Sequence, residues 1–387
     1  MLTIGFDAKR IVRNTTGLGS YSRTLVRDLA YLPESLRLRL YASDKGRDDM
    51  RSQVEGLPRV SFCYPKAGAF LSLDKALWRS FGIVRDLKRD KVQVFHGLSG
   101  ELPIGIRKSG IRSVVTIHDL IFLRHPEFYS WIDAKIYAWK FRRTLREADH
   151  IIAISECTRR DVIQFGQIDP SRVSVIYQSC APRFTSVPTP VEQEQVRLQY
   201  GLTKHFILNV GTIEQRKNIL LAVKALEALP SDLSLVIVGR RTAYTNLVLD
   251  YINTHNLSRR VFILHDVPDE HLPALYAQAE AFVYPSVYEG FGIPIIEAIS
   301  SGLPVVACTG SCLEEAGGPD SLYVAPDDPK ALALAVRQVL KGAPEREERI
   351  QRSREYIRRF EGQDVAGQVL DIYRRLTAST SLAGQGL

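Results

Sequence analysis

The chain has 387 residues, 45% of them hydrophobic and 24% charged, with a formal net charge of +8; this is the composition of a globular protein, and the length suits two cores of ordinary size better than one. Charge arrives within Met1-Leu-Thr-Ile-Gly-Phe-Asp7, too early for a signal peptide, and no apolar run nears the roughly 20 residues of a spanning helix, so a cytoplasmic chain is expected. The five cysteines, Cys63, Cys157, Cys180, Cys308 and Cys312, are odd in number and lack zinc-ligand spacing, which reads as reduced thiols and no metal site.

The first strand is expected at Leu2–Phe6. Gly17-Leu-Gly19-Ser-Tyr-Ser then opens a helix through Leu25, Leu29 and Leu32; Ser22 stands where a dinucleotide fingerprint needs its third glycine. Further strands are expected at Leu36–Ala42, Val60–Tyr64, Val92–Phe95 and Ser113–Ile117, with helical patterns between several of them. That alternation predicts a parallel doubly wound sheet, an α/β fold whose ligands sit at the carboxyl ends of the strands. His96 and His118 both follow such ends. His96 reads as a packed side chain, and His118, in Val-Thr-Ile-His118-Asp119-Leu, is the stronger functional candidate, with Asp119 and Asp7 orienting their loops.

Residues 132–147 form a helix with five basic and three aromatic side chains. It reads as core-packed with a solvated basic side; peripheral contact with anionic lipid through Lys135, Arg142, Arg143 and Arg146 is the alternative. His150–Ile154 is the next strand, and Ser155-Glu-Cys-Thr158 an N-cap signal for the helix after it. Val173–Tyr177 closes a first domain over residues 1–185, and the proline-bearing, charged residues 186–204 read as a linker. The first 190 residues hold 31 Lys and Arg against 19 Asp and Glu. Such an excess suits an anionic partner, either a phospholipid surface or a diphosphate-linked acceptor; no nucleic-acid-binding motif accompanies it, so no nucleic acid is expected.

A second domain, 205–362, starts with the strand Phe206–Val210 and Gly211-Thr-Ile-Glu-Gln-Arg216-Lys217-Asn218. Two cations after a strand end can neutralise a diphosphate, arginine as a fork and lysine as a point charge. Leu233–Val238 runs into Gly239, and Val261–Leu264 into His265-Asp-Val267, each adding a loop at the same rim. The apolar run Ala281–Tyr284 reads as a buried strand, and Pro294–Ser301 as a short helix closed by Gly302. Between them Glu289, Gly290, Phe291, Gly292 and Ile293 form a turn whose glycines let backbone N–H groups approach an anion at a helix start. Glu289 and Glu297, the latter expected in the first helical turn, suit sugar hydroxyls rather than phosphate. Amides for phosphate beside acids for hydroxyls describe a nucleotide sugar.

Glu289-Gly-Phe-Gly-Ile-Pro followed by Glu297-Ala resembles the Glu-x7-Glu signature of retaining GT-B glycosyltransferases of the GT4-like group, bacterial mannosyl- and glucosyltransferases among them. The resemblance covers nearly the whole chain, and Arg216-Lys217 after Val-Gly and the glycines Gly17 and Gly19 match it too. It implies two Rossmann-like domains facing across a cleft, the last helix (about 363–377) returning to the first domain, and a polar tail over 378–387. It also implies that Gly17 and Gly19 close over the donor diphosphate and His118 faces the sugar or acceptor. Glu289 would hold the sugar, Glu297 the ribose, and loops such as that of Val267 the base.

The expected reaction is transfer of a hexose, with retention, from a nucleotide-sugar donor to a hydroxyl of a glycan or lipid-linked acceptor in surface-polysaccharide synthesis, with mannose from GDP-mannose favoured over UDP- or dTDP-sugars. No cofactor is expected, and the absence of an Asp-x-Asp motif implies leaving-group stabilisation by Arg216, Lys217 and backbone N–H groups rather than a metal. The alternatives are a sugar-nucleotide epimerase, a phosphorylase or a non-catalytic nucleotide-sugar-binding scaffold; the broken glycine fingerprint disfavours a dehydrogenase.

Overall fold

The structure is a computed structural model that describes residues 1–65 and 72–383. It divides into two units, Met1–Gln178 with Asp364–Leu387, and Ser179–Gln363. Each is built on one parallel sheet.

The first sheet contains β1 (Leu2–Asp7), β2 (Leu36–Tyr41), β3 (Val60–Cys63), β4 (Val94–Gly97), β5 (Arg112–Ile117), β6 (His150–Ala153) and β7 (Val173–Val175), in the order β3-β2-β1-β4-β5-β6-β7. Strand alternation sorts its apolar side chains onto two faces. Ile4, Phe6, Leu38, Leu40, Val94 and Val114 pack under the helices Gly17–Tyr31 and Val365–Ala383; Phe95, Val115, Ile117, Ile151 and Ala153 pack under the helix Trp131–Glu147. Val369, Leu370, Ile372 and Tyr373 are fully buried in the former cluster, so the chain's last helix belongs to its first unit. That helix runs to Ala383, beyond the 363–377 expected, and residues 384–387 of the expected tail lie outside the described residues.

The second sheet contains β8 (Phe206–Val210), β9 (Ser234–Val238), β10 (Val261–Leu264), β11 (Phe282–Tyr284), β12 (Val305–Cys308) and β13 (Leu322–Val324), in the order β10-β9-β8-β11-β12-β13. Both sheets therefore reverse their strand order at one point, β1 against β4 and β8 against β11, where a doubly wound sheet opens a crevice at its carboxyl edge. At the second of these points the strands share a single register pair, Phe282 with Leu208. The buried Asn209 amide donates to the Val283 carbonyl at 2.8 Å and holds the diverging ends together. The expected linker is not a loop throughout: Thr189 and Glu192 form a reciprocal capping box that starts a helix over Pro190–Gln199, within the second unit. Among the described residues no helix is long and apolar enough to cross a membrane.

Candidate functional site

At the crevice of the second sheet the chain leaves β8 through Gly211 and makes one tight turn, Gln215–Lys217. It leaves β11 through the loop 285–292, and the Val287 N–H donates to the Arg216 carbonyl at 2.9 Å, stitching the two loops together. Three ionised side chains meet there. Arg216 Nη1 lies 2.8 Å from Glu289 Oε2 and Lys217 Nζ 2.5 Å from Glu289 Oε1, so each carboxylate oxygen has its own cation. Arg216 also donates to the Tyr288 carbonyl and to Glu214 at the exposed edge, and Lys217 donates to the Tyr284 hydroxyl at 2.6 Å.

All three side chains are largely buried. Burial works to raise the Glu289 pKa, but Lys217 and then Arg216 overcome it and hold the carboxyl at about 2. Burial likewise works to lower the pKa of each cation, and the pull of Glu289 more than reverses it. The site is thus charged over the whole physiological range, with two buried cations sharing one buried carboxylate.

The glycines have separate reasons. A β-carbon on Gly239 would stand 1.8 Å from the Gly211 carbonyl oxygen, so these two loops pass backbone against backbone. Gly292 has φ +108°, a backbone that disfavours side chains, and starts the helix Ile293–Ser300 with Pro294 in its first turn. Two expectations need correction here. Glu297 is the fifth helical residue, not in the first turn, so it is no partner for the helix N-terminus. The Phe291 side chain is buried edge-on against Phe360, and only its backbone, whose carbonyl accepts from Cys312 Sγ, belongs to the turn with Gly290 and Ile293.

Glu297 is half-buried and accepts a hydrogen bond from the Tyr276 hydroxyl at 3.1 Å; burial outweighs that bond and the pull of Arg183 and pushes its pKa up to about 7. Val267 stands half-buried in the loop after β10, the edge strand, three strands away from β11. Tyr284, Tyr276 and Glu214 were not legible as site residues. The only signal was the place of Tyr284 as the last residue of a central strand.

In the first unit His118 follows β5. Its Nε2–H donates to the Leu98 carbonyl at 2.9 Å, the Tyr21 ring meets it edge-on at 4.9 Å, and burial lowers its pKa to about 4. The imidazole is therefore neutral, and Nδ1 carries its lone pair as an acceptor. It borders a cavity of about 250 Å³ whose other walls include Phe122, Tyr129, Tyr137, Glu101 and Lys140. Lys140 and Arg79 hold Glu101 at 3.1 and 2.5 Å, and Arg79 continues to Asp7 at 2.5 Å. Asp7 therefore anchors an ion-pair chain, while Asp119 accepts from the Ile121 N–H and orients its loop. Asn14 Oδ1 accepts from the Gly19 N–H at 3.1 Å, so that amide is already engaged; Gly17 is the first residue of its helix.

On the helix Trp131–Glu147, Phe141, Thr144 and Leu145 face the core, but Trp131, Ile132, Ile136 and Trp139 are 67%, 53%, 45% and 57% exposed. Its outer side is therefore apolar as well as basic, unlike the solvated basic face expected.

Residues 15–179 match the model of Glycosyltransferase Family 4 and residues 191–356 that of Glycosyl transferases group 1. The chain belongs to the group 1, family 4 glycosyltransferases. It is 28% identical to O-antigen chain mannosyltransferase B of Escherichia coli over 97% of this chain and all of that one. Among solved structures, sucrose-phosphate synthase from Thermosynechococcus elongatus is similar over 98% of this chain and all of its own, with a TM-score of 0.76 at 21% identity. HepE from Anabaena, in complex with UDP and glucose, is similar over 97% of this chain and all of its own, with a TM-score of 0.73 at 18% identity. The two parallel sheets of this glycosyltransferase are thus those of the GT-B fold.

Proposed function

We propose that this glycosyltransferase moves mannose, with retention, from GDP-mannose to a hydroxyl of a glycan or lipid-linked acceptor during assembly of a surface polysaccharide. The observation that carries the reading is the pair of buried cations on Glu289 at the crevice of the second sheet. Arg216 and Lys217 already stand desolvated and oriented, so stabilising the charge on a departing nucleoside diphosphate requires little reorganisation. Glu289 keeps them from repelling each other. When donor phosphates take over part of their hydrogen bonding, a carboxylate oxygen of Glu289 becomes available to sugar hydroxyls. Gly211, Gly239, Gly290, Gly292 and Ile293 contribute backbone approach to the diphosphate; Glu297 takes the ribose, and the loop of Val267 the base.

His118 Nδ1 accepts a hydrogen bond from an acceptor or sugar hydroxyl, in a cavity whose aromatic walls suit a pyranose face. The mannose assignment is supported by the O-antigen mannosyltransferase relative, and the location we infer is cytoplasmic, at the membrane surface, through the exposed face of the helix Trp131–Glu147.

A thermal-shift panel of GDP, UDP, dTDP, ADP and their sugar conjugates, with and without EDTA, tests the donor. A ligand at 100 times its Kd stabilises the folded state by about 2.7 kcal/mol. GDP and GDP-mannose are expected to raise the midpoint regardless of EDTA. A shift by UDP-sugars alone would transfer the reading to a glucosyl-type donor, and no shift at all would remove the nucleotide-sugar site.

A further inference from the structure

A chain of hydrogen bonds crosses the otherwise apolar core of the first unit. Tyr373, on the helix Val365–Ala383, meets His96 Nδ1 at 2.6 Å; His96 Nε2 meets Thr116 Oγ1 at 2.8 Å; Thr116 Oγ1 meets the Tyr21 hydroxyl at 3.1 Å. Tyr373, His96 and Thr116 are fully buried and Tyr21 nearly so. The ring of Tyr21 then stands edge-on against His118. Thr116 reaches His118 a second way: its carbonyl accepts from the Gly100 N–H at 2.9 Å and fixes the loop whose Leu98 carbonyl receives the His118 Nε2–H. Both supports of the His118 ring therefore lead back to Thr116, and through His96 to Tyr373.

The hydroxyl of Tyr373 is not needed to fill space, since phenylalanine has the same ring. Four polar groups threaded through hydrocarbon are tolerated only while each keeps its partners. A neutral imidazole donates from one nitrogen and accepts at the other, so the proton order at Tyr373 sets the one His96 presents to Thr116, whose hydroxyl also meets Tyr21. Cutting either end takes a partner from an inner member and loosens the rest.

We propose that Tyr373, on the returned C-terminal helix, is a positioning residue that acts through His96, Thr116 and Tyr21 to fix the imidazole of His118. The consequence for sugar transfer rests on the role given to His118 above; the fixing of the ring does not.

The test uses the full chain with 15N-labelled histidine. The signals of His118 among the eight histidines are identified by their loss in His118→Gln. Tyr373→Phe and Tyr21→Phe are each expected to move and broaden the His118 ring-nitrogen signals, and the double variant to do no more than either alone, because one chain is cut at two ends. Thr116→Val, which removes the middle link, should reproduce the effect and serves if Tyr373→Phe does not fold. In GDP release from GDP-mannose, Tyr373→Phe should lower kcat roughly two- to tenfold with the donor KM unchanged, no more than removing the His118 imidazole itself. Unmoved His118 signals in Tyr373→Phe, with only a lower melting temperature, would overturn the proposal and leave the chain a purely structural element. Moved signals with unaltered GDP release would uphold the positioning and tell against the role of His118 in transfer.

Discussion

In the second sheet, the crevice between β8 and β11 ends in Arg216, Lys217 and Glu289, three ions packed on one another with few water contacts. In the first sheet, the strands at the corresponding reversal are β1 and β4, and β4 carries His96, a buried ring whose nitrogens both meet hydroxyls; its ions form a chain from buried Asp7 through Arg79 to the more exposed Glu101 and Lys140. Strand order is the same, yet one crevice presents excess buried positive charge and the other presents neutral acceptors beside aromatic walls. The shared topology supplies the place, and the side chains at the strand ends decide whether phosphate or hydroxyl is met there.

Truncation separates the two crevices most sharply. Glu289→Ala leaves buried Lys217 without its acid, beside Arg216, which keeps only Glu214 at the exposed edge, and is expected to cost about 3–5 kcal/mol. Asp7→Ala leaves Arg79 with Glu101 and should cost clearly less. Urea midpoints of the two variants check this, and equal losses would erase the contrast. Substituting Lys217→Met together with Glu289→Ala should recover part of the stability without recovering turnover.

Turnover gives the next difference. Lys217→Ala removes a preoriented charge and is expected to lower kcat by roughly 10²–10³-fold. His118→Ala removes one neutral hydrogen bond and should cost about three- to tenfold. Release of nucleoside diphosphate from the donor reads both; a His118 variant as impaired as the Lys217 variant would mean that the first unit holds the reacting group.

The two carboxylates of the signature respond to pH with opposite sign. The Glu289 pKa is depressed from 4.5 to about 2, so its stabilisation is fully present above pH 4.5 and is lost as pH falls toward 2. The Glu297 pKa is raised from 4.5 to about 7, so the folded state is favoured below pH 4.5 and loses that advantage as pH rises through 7. Glu297→Gln should therefore match wild type in melting temperature near pH 4.5, rise above it by pH 8, and weaken donor binding. A ribose hydroxyl donating to Glu297 favours its ionised form, so donor binding near pH 6.5 should release protons, measurable by calorimetry in buffers of different ionisation enthalpy. Equal melting temperatures of the two proteins at pH 8 would show that folding does not raise the Glu297 pKa.

Eleven of the thirteen strands are read from the sequence within two residues of their observed ends. The exceptions are β12 and β13, runs of four and three residues too short to show a period. Arg216, Lys217 and Glu289 were legible as candidates because they follow strand ends and, above all, match motifs of the family the chain resembles. Their mutual contact was not, since nothing local says that residues 72 and 73 apart pair two to one. Tyr373 and His96 were invisible for the same reason: a hydrogen bond between residues 277 apart leaves no local pattern. The helix Trp131–Glu147 was misread because spacing identifies an apolar stripe without saying whether core or solvent faces it; this helix has a second stripe.

That second stripe carries the smallest predicted effect. Lys135 lies 4.5 Å from the Trp131 ring centre, so charge and aromatic surface are presented together, as suits a headgroup layer. Full-length protein should co-sediment with vesicles containing anionic phospholipid at low salt and release as ionic strength shortens the screening length. Each exposed cation near such a surface is worth about 1 kcal/mol, so Lys135→Gln or Arg142→Gln should each weaken binding about fivefold. Trp131→Ala with Trp139→Ala should weaken binding at every salt concentration, because buried apolar area does not screen. Loss on adding salt with no effect of the tryptophans would reduce the contact to electrostatics alone. Absence of co-sedimentation at low salt would leave this apolar face without a membrane role.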